Sequence, residues 1–398
     1  MALFRSGHVP LRLAADKIQK MRKLNSHERK VFFSAVFDCT RQAYLFDEFL
    51  LEEVRFSSSL SRRQKDALLL EIVLDAVLGI DASEAAHNLG SQYQAWLMQQ
   101  KERYLQALGP IIGARLRRDY GEDAEVIAQG LFRKPKKYLA FDPRAVRLDD
   151  IVLALKTVNI EVQGHPHLKT ALGVQDYVHL DDLPVSIRDH VWFMDAGSQM
   201  IAALVNPLEH EHVLDMCAGE GNKARYITSH RCNYLAVDID DKRLSVAKKR
   251  IHEDYVKFMV ADARKIEAPP GSFDWVLLDA PCSGVGTIAR APDIILRLDE
   301  KTIANYQHLQ RELLDSAITM LKPGGKLIYA TCSLLVDENG RQIDKLCQQN
   351  GHLKQVPLGT MVGPNLVFAH NDLAKCSLTI FPHSYDCDGF YCAVFTKK

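Results

Sequence analysis

The sequence predicts an α/β protein in three parts. Residues 1–134 read as an all-helical domain, 135–200 as a small α/β connector, and 201–398 as a doubly wound α/β domain. Three observations carry this division. Up to about Gly130, apolar residues recur at three- and four-residue spacing, the period of an amphipathic helix. After Asn206 the rhythm becomes strand, turn, helix, with short and nearly continuous apolar runs, as parallel strands covered on both faces require. Between the two lies "FRKPKKYLAFDPRAV", basic, aromatic and broken by proline.

In the first part, "SHERKVFFSAVFDCTRQAYLFDEFLLEEV" follows the helical period from Ser26, a candidate cap with Glu28 in the first turn. "SRRQKDALLLEIVLDAVLG" repeats the pattern and stops at Gly79. "SEAAHNLGSQYQAWLMQQ" and "GPIIGARLRRDYG" continue it. In the connector, "RLDDIVLALKTVNIEVQ" reads as one helix and then a short strand. In the last part the strand candidates are "HVLDM", "YLAVDI", "VKFMVAD", "WVLLDA" and "KLIYATC", starting at His212, Tyr234, Val256, Trp275 and Lys326. "LKPGGK" supplies a tight turn into the fifth. "SLTIF" at Ser377 and "FYCAVF" at Phe390 lie close enough for one to run antiparallel. "DKRLSVAKKRIHEDY" and "IANYQHLQRELLDSAITML" are helical and alternate with the strands, the arrangement of a doubly wound sheet.

Lysine plus arginine and aspartate plus glutamate both total 50, so net charge selects no partner and only local patches can. No run of about eighteen apolar residues offers a membrane span. The opening residues lack the apolar core and cleavage site of a signal peptide. Nine cysteines, odd in number and without a CxxC pair, fit a reducing cytoplasm better than a disulfide framework or a zinc site. Nothing demands more than a monomer.

Ligands of doubly wound sheets bind at the carboxyl ends of the strands. Four acidic residues stand at such ends: Asp215 before the turn "MCAGEGNK", then Asp238, Asp262 and Asp279. Gly219 and Gly221 let the backbone of that turn approach a ligand closely. A carboxylate after the second strand suits a ribose diol. The turn lacks the third glycine of a dinucleotide fingerprint, which favours S-adenosylmethionine, a ligand with a ribose and an adenine but no pyrophosphate. Taken singly, each aspartate can equally be a helix cap; the series of four points to a site.

Cys282 follows Asp279-Ala280-Pro281, and Cys332 follows Thr331 at the end of the fifth strand. If the fourth and fifth strands are neighbours, both thiols emerge at one edge beside the pocket. A lone cysteine is usually a small core residue, but a pair here suits one chemistry. Carbon 5 of cytosine is too weak a nucleophile to attack a methyl sulfonium, and a thiolate adding at carbon 6 gives it enamine character. Asp279 is placed to stabilise the adduct at the N3 edge of the base, and a second cysteine can assist elimination.

The segments "LLDAPCSGVG", "RAPDI", "LLDSAITMLKPGGKLIYATCSLLVDENGRQI" and "DGFYCAVF" closely resemble the bacterial ribosomal RNA cytosine-C5 methyltransferases of the RsmB/Sun type. The resemblance runs from about residue 190 to the end. It implies a class I, Rossmann-like S-adenosylmethionine-dependent methyltransferase domain, with RNA, most of all ribosomal RNA, as partner. It implies Cys332 as nucleophile and Cys282 as the residue that releases product. Cofactor contacts are implied at Cys217, Ala218, Gly219, Glu220, Gly221, Asn222 and Lys223, and at Asp238, Asp262 and Asp279. The N-terminal helices resemble, more loosely, the NusB-like RNA-binding domain of these enzymes.

The family's cofactor loop, CAAPGGK, stands here as "CAGEGNK", and its "VQDEASQL" as "FMDAGSQM", with Ser198 and Gln199 kept. Asn222 tolerates a left-handed backbone better than most residues, so the turn can survive. These departures raise an alternative, an RNA-binding or ribosome-assembly factor on a degenerate methyltransferase scaffold. For RNA contact, "FRKPKKY" (Phe132 to Tyr138) and "RLRRDY" (Arg115 to Tyr120) join basic and aromatic groups suited to phosphates and stacked bases. A base entering the pocket would be presented unstacked or flipped.

Overall fold

The computed structural model describes residues 26–54, 60–78, 83–174, 178–363, 365–368 and 370–398. The chain forms two compact units. One comprises Met1–Lys134 with Thr287–Thr302, the other Pro135–Gly286 with Ile303–Lys398.

Helices Ser26–Glu52, Arg62–Leu78, Glu84–Gln99, Arg103–Ala107, Gly109–Tyr120 and Ala124–Phe132 build the first unit. Ser26 is the first helical residue rather than a cap, and Gly79 lies outside the described residues. Phe46, Phe49, Tyr93 and Trp96 interlock in the core, with ring centroids 5.2 Å apart for Phe49 and Tyr93 and 5.3 Å for Phe46 and Tyr93. Tilted and edge-on pairs of this kind add about 0.5–1.5 kcal/mol each beyond their buried area. The segment Thr287–Thr302 belongs to this unit. Its short helix Ile294–Arg297 buries Ile294 and Ile295, Arg41 donates to the Ala289 carbonyl at 2.8 Å, and Arg115 pairs with Glu300 at 2.8 Å.

The second unit holds two sheets. The smaller contains β1 (Lys137–Phe141), β2 (Val162–His165), β3 (Leu168–Val174) and β4 (Val191–Phe193) in the order β2-β3-β1-β4, all antiparallel. The larger contains β5 (His212–Asp215), β6 (Asn233–Asp238), β7 (Val256–Val260), β8 (Phe273–Asp279), β9 (Leu321–Thr331), β10 (Leu353–Gln355), β11 (Ser377–Ile380) and β12 (Phe390–Lys397). Its order is β10-β12-β9-β8-β5-β6-β7, with β11 also paired to β12. Strands β5 to β9 run parallel, and β12 runs antiparallel to β9, β10 and β11.

Alternate residues of each central strand serve opposite faces. Val213, Trp275, Leu277, Ile328 and Val394 enter one core, while Leu214, Val276, Leu278, Leu327 and Phe395 enter the other. A run such as "WVLL" must therefore be apolar at every position. Strand β9 starts earlier than its apolar run suggests. "LKPGGK" is a register irregularity within the strand, Phe273 pairing with Leu321 and Trp275 with Lys326, rather than a turn before it. This topology brings the carboxyl ends of β5, β6, β8 and β9 side by side, and the reading of a mixed α/β fold with helical N-terminal domain, connector sheet and doubly wound sheet holds.

Candidate active site

At that edge the chain is stitched across strands. The Met216 N–H donates to the Leu277 carbonyl at 3.0 Å, and the Ala218 N–H to that of Val237 at 2.9 Å. The turn from Cys217 to Lys223 thus lies over the ends of three neighbours. Gly219 and Gly221 have φ of 56° and 78°, a region that costs other residues roughly 1–2 kcal/mol. Asn222 is not in that region: it is the first residue of the helix Asn222–Ile227, and the left-handed step falls on Gly221. The altered loop therefore has glycines at both positions where its backbone turns left-handed.

A pocket of about 230 Å³ opens there, lined by Ser198, Asp215, Cys217, Ala218, Glu220, Asn222, Lys223, Arg243 and Asp279. Asp238 backs the turn. Its Oδ2 accepts the Gly219 N–H at 2.7 Å and its Oδ1 the Asp240 N–H at 2.9 Å, with the Arg243 guanidinium 3.6 Å away. Ile239, the next residue, is an apolar side chain 71% exposed beside this carboxylate. Glu220 and Asn222 both meet Arg250 at 3.4 Å. Asp262 stands apart from the pocket lining. It accepts the Arg264 N–H at 3.0 Å and pairs with the same guanidinium at 2.6 Å, the local capping role any strand-end aspartate can take.

Two buried charges face the pocket. Lys223 Nζ donates to Asp279 Oδ2 at 2.6 Å and lies 5.8 Å from the centre of the Phe390 ring. Burial opposes the Lys223 charge, but Asp279 outweighs it and holds the ammonium above its usual range. Asp215 is 1% exposed. Tyr234 donates to its Oδ2 at 2.8 Å, while its Oδ1 is buried without a hydrogen-bond partner. Burial pushes this carboxyl up to about 7, partly offset by the Tyr234 hydroxyl. Burial likewise raises the Cys217 thiol.

Because β8 pairs with β9, with Asp279 opposite Ala330, both cysteines emerge together. Cys282 Sγ and Cys332 Sγ are 3.4 Å apart. Contact with Cys332 and burial hold the Cys282 thiol well above its usual range. The structure also explains why three separate sequence segments belong together. The Gly286 N–H of "DAPCSGVG" donates to the Cys332 carbonyl at 2.9 Å, and the Gly389 N–H of "DGFYCAVF" to the Gly286 carbonyl at 2.8 Å.

In the basic stretches two aromatic rings and several of the cations have partners within the fold. Tyr138 is 3% exposed with its hydroxyl on Asp386, and Phe132 packs against the first unit's core, so neither ring offers a stacking face. Lys136 is paired with Asp386. In "RLRRDY", Arg115 pairs with Glu300, Arg117 with Glu102 and Arg118 with Asp119.

Sequence reasoning missed Arg243, Ile239 and the residues behind the thiols. Arg243 sits one turn into the helix after Asp238, and an apolar residue directly after a strand-end acid was the available signal for Ile239.

A parallel sheet with a left-handed glycine turn, strand-end carboxylates and a small polar pocket is the architecture of S-adenosylmethionine-dependent methyltransferases. The pocket fits that cofactor: Asp215 Oδ1 is a buried acceptor lacking a donor, which a methionine ammonium would supply, and Asp238 with Ile239 would offer a carboxylate and an apolar wall to an adenosine. Residues 202–396 match the family 16S rRNA methyltransferase RsmB/F. The ribosomal RNA small subunit methyltransferase B of Yersinia enterocolitica is 31% identical over 361 residues, 88% of this chain and 77% of that protein. Its counterpart from Yersinia pestis (strain Angola) is 31% identical over 291 residues, 72% of this chain and 65% of that protein. The solved structure of PH0851 superposes with a TM-score of 0.76 at 23% identity, over 99% of this chain and 96% of that one. A methyltransferase homologue from Pyrococcus horikoshii gives 0.62 at 24% identity, over 75% and 98%. The chain belongs to the 16S rRNA methyltransferase RsmB/F family, and its cofactor is S-adenosylmethionine.

Proposed function

We propose that the protein methylates carbon 5 of a cytosine in ribosomal RNA through a covalent bond from Cys332 to carbon 6. The observation that carries this reading is the pair of thiols 3.4 Å apart beside the Lys223–Asp279 ion pair. A pair of sulfurs at one reacting position has no use in amino-group methylation, whereas addition and elimination across one double bond need two groups.

S-adenosylmethionine supplies an electrophilic methyl group on its sulfonium. Asp215 and Asp238 would hold its ammonium and ribose, and Ile239 would border its adenine. Cys332, as thiolate, adds to carbon 6 of the flipped cytosine, and the electron pair of the 5,6 double bond becomes available at carbon 5. Asp279, expected at the N3 edge, is held as an acceptor on Lys223 and accepts from the exocyclic amino group instead. Lys223 places its positive charge at the N3 edge, where the adduct gathers negative charge. Carbon 5 takes the methyl group. Water then takes the carbon-5 proton, the double bond re-forms and the Cys332–carbon 6 bond breaks. The protonated Cys282 thiol donates to the departing Cys332 sulfur 3.4 Å away, so Cys332 leaves as the thiolate it began as and Cys282 keeps its proton.

Residues 1–134 and 135–200 are proposed to hold the RNA around the target. All nine cysteines are free of disulfides, in keeping with work in the cytoplasm, and we take the chain to act as a monomer. Among the described residues no helix is long and apolar enough to cross a membrane.

Nucleoside mass spectrometry of 16S ribosomal RNA lacking modification, incubated with protein and cofactor, tests the reading. New 5-methylcytidine is expected, with a loss of at least roughly 10³-fold in Cys332→Ala. Methylation on an amino group, or unimpaired 5-methylcytidine formation by Cys332→Ala, would reject it.

A further inference from the structure

Behind the two thiols lies a buried carboxylate that the mechanism above does not use. Glu338 is 0% exposed and sits seven residues after β9 ends. Its Oε1 accepts the Ser283 N–H at 2.8 Å and the Gln310 side-chain N–H at 3.1 Å. Its Oε2 accepts the hydroxyls of Ser283 and Ser333, the latter at 2.6 Å, and those two hydroxyls are 3.0 Å apart. Ser283 follows Cys282 and Ser333 follows Cys332, so one side chain ties down both cysteine loops.

The neighbouring bonds close the frame. Gln310 also donates to the Pro281 carbonyl at 2.9 Å, on the other side of Cys282. Asn339 accepts from the Thr331 hydroxyl at 2.6 Å and donates to the Ser333 carbonyl at 2.8 Å, on both sides of Cys332. Tyr329, within β9, donates to the Glu338 carbonyl at 2.6 Å. An ionised carboxylate only accepts hydrogen bonds, and every partner of Glu338 here is a donor. Such saturation is what a charge taken out of water requires. Burial raises the Glu338 carboxyl and the four donors oppose that rise. The negative charge adds to the influences that keep the Cys282 thiol protonated.

We propose that Glu338 is a positioning residue that clamps the Cys282 and Cys332 loops in register, fixing the sulfur–sulfur distance and separating the two thiols' roles. This rests on the reading of Cys332 and Cys282 as the reacting pair. Were Glu338 removed, Ser283 and Ser333 would lose their shared anchor and each loop could shift independently. A displacement of about 1 Å at a reacting group can cost roughly 10²-fold in rate.

Two readouts separate the clamp from that reading. In otherwise unaltered protein, iodoacetamide alkylation of Cys282 and Cys332 is followed by peptide mass spectrometry. Glu338→Ala, which frees both loops, is expected to raise the Cys282-to-Cys332 labelling ratio at least roughly fivefold, and an unchanged ratio overturns the clamp whatever the reaction is. In a Cys282→Ala background, the rate of covalent adduct formation with 16S ribosomal RNA is measured at saturating RNA and cofactor. Glu338→Ala is expected to slow it by roughly 10²-fold with cofactor affinity unchanged. Glu338→Gln, which keeps one acceptor and can donate to a serine hydroxyl, is expected to recover most of that loss. Should Glu338→Ala fail to bind cofactor, Glu338→Asp, which keeps the charge but shortens the anchor, is read in its place and is expected to slow the step at least roughly tenfold. A rate within twofold of the parent for the variant read overturns the proposal. Failure of the Cys282→Ala parent to form any adduct instead rejects the covalent reading and leaves the labelling ratio to judge the clamp.

Discussion

Cys282 Sγ and Cys332 Sγ stand 3.4 Å apart although fifty residues separate them in the chain. That distance is too long for a disulfide, about 2.05 Å, and short enough for both sulfurs to meet the same pair of base carbons. The parallel pairing of β8 with β9 produces it. Contact with Cys332, burial and the Glu338 charge all raise the Cys282 thiol.

The Lys223–Asp279 pair predicts an asymmetry. Lys223 is 11% exposed and Asp279 27%. Asp279→Asn strands a buried ammonium and should cost about 3 kcal/mol in urea unfolding. Lys223→Met leaves a carboxylate that water can reach and should cost less, about 1 kcal/mol. Both should lower kcat by more than roughly 10²-fold. Equal stability losses would contradict the burial argument.

Asp215 predicts a pH dependence. Its carboxyl is raised to about 7 in the folded protein from an ordinary 3.8. Below both values the group is protonated folded or unfolded, so it has no effect. Between them only the unfolded chain ionises, so the stability of the free protein falls as pH rises and then levels off above about 7. The same carboxylate must ionise to hold the cofactor's ammonium, so S-adenosylmethionine affinity should rise between about pH 6 and 7.5, below the range of an α-amino group. Calorimetry should show proton release on binding, absent in Asp215→Asn. An equal pH slope in that variant would remove Asp215 from the account.

Gly286 predicts a steric failure. A Cβ there would lie 2.0 Å from the Gly389 carbonyl oxygen and 2.9 Å from that of Cys332. Both obstacles are backbone, so the cysteine loop or the start of β12 must move. Gly286→Ala should lower stability by about 1–3 kcal/mol and activity with it, read by thermal unfolding and methyl transfer. A variant with wild-type melting and rate would show the crossing to be loose.

Much of this site was legible in the sequence for a physical reason. Strands buried on both faces announce themselves as unbroken apolar runs, and in a parallel sheet the residues at their ends must converge. The thiols, Asp215, Asp238, Asp279 and the glycine turn follow from that. Other features depend on pairings that no local pattern encodes. Leu353–Gln355 is too short and polar to read as a strand, yet it pairs with the end of β12. Glu338 lies in "VDENG", which reads as a solvated turn until Ser283, Ser333 and Gln310 are brought to it. In the basic and aromatic runs, Tyr138 and Phe132 pack into cores and Arg115, Arg117 and Arg118 are ion-paired, which no local pattern encodes.

The most direct test of the central claim is denaturing electrophoresis of Cys282→Ala protein incubated with 16S ribosomal RNA and S-adenosylmethionine. With Cys332 free to attack and release impaired, a slow-migrating protein–RNA band is predicted, and it should vanish in Cys282→Ala/Cys332→Ala. A band that survives loss of Cys332, or its absence from folded Cys282→Ala protein that binds cofactor and the RNA, would contradict covalent catalysis by Cys332.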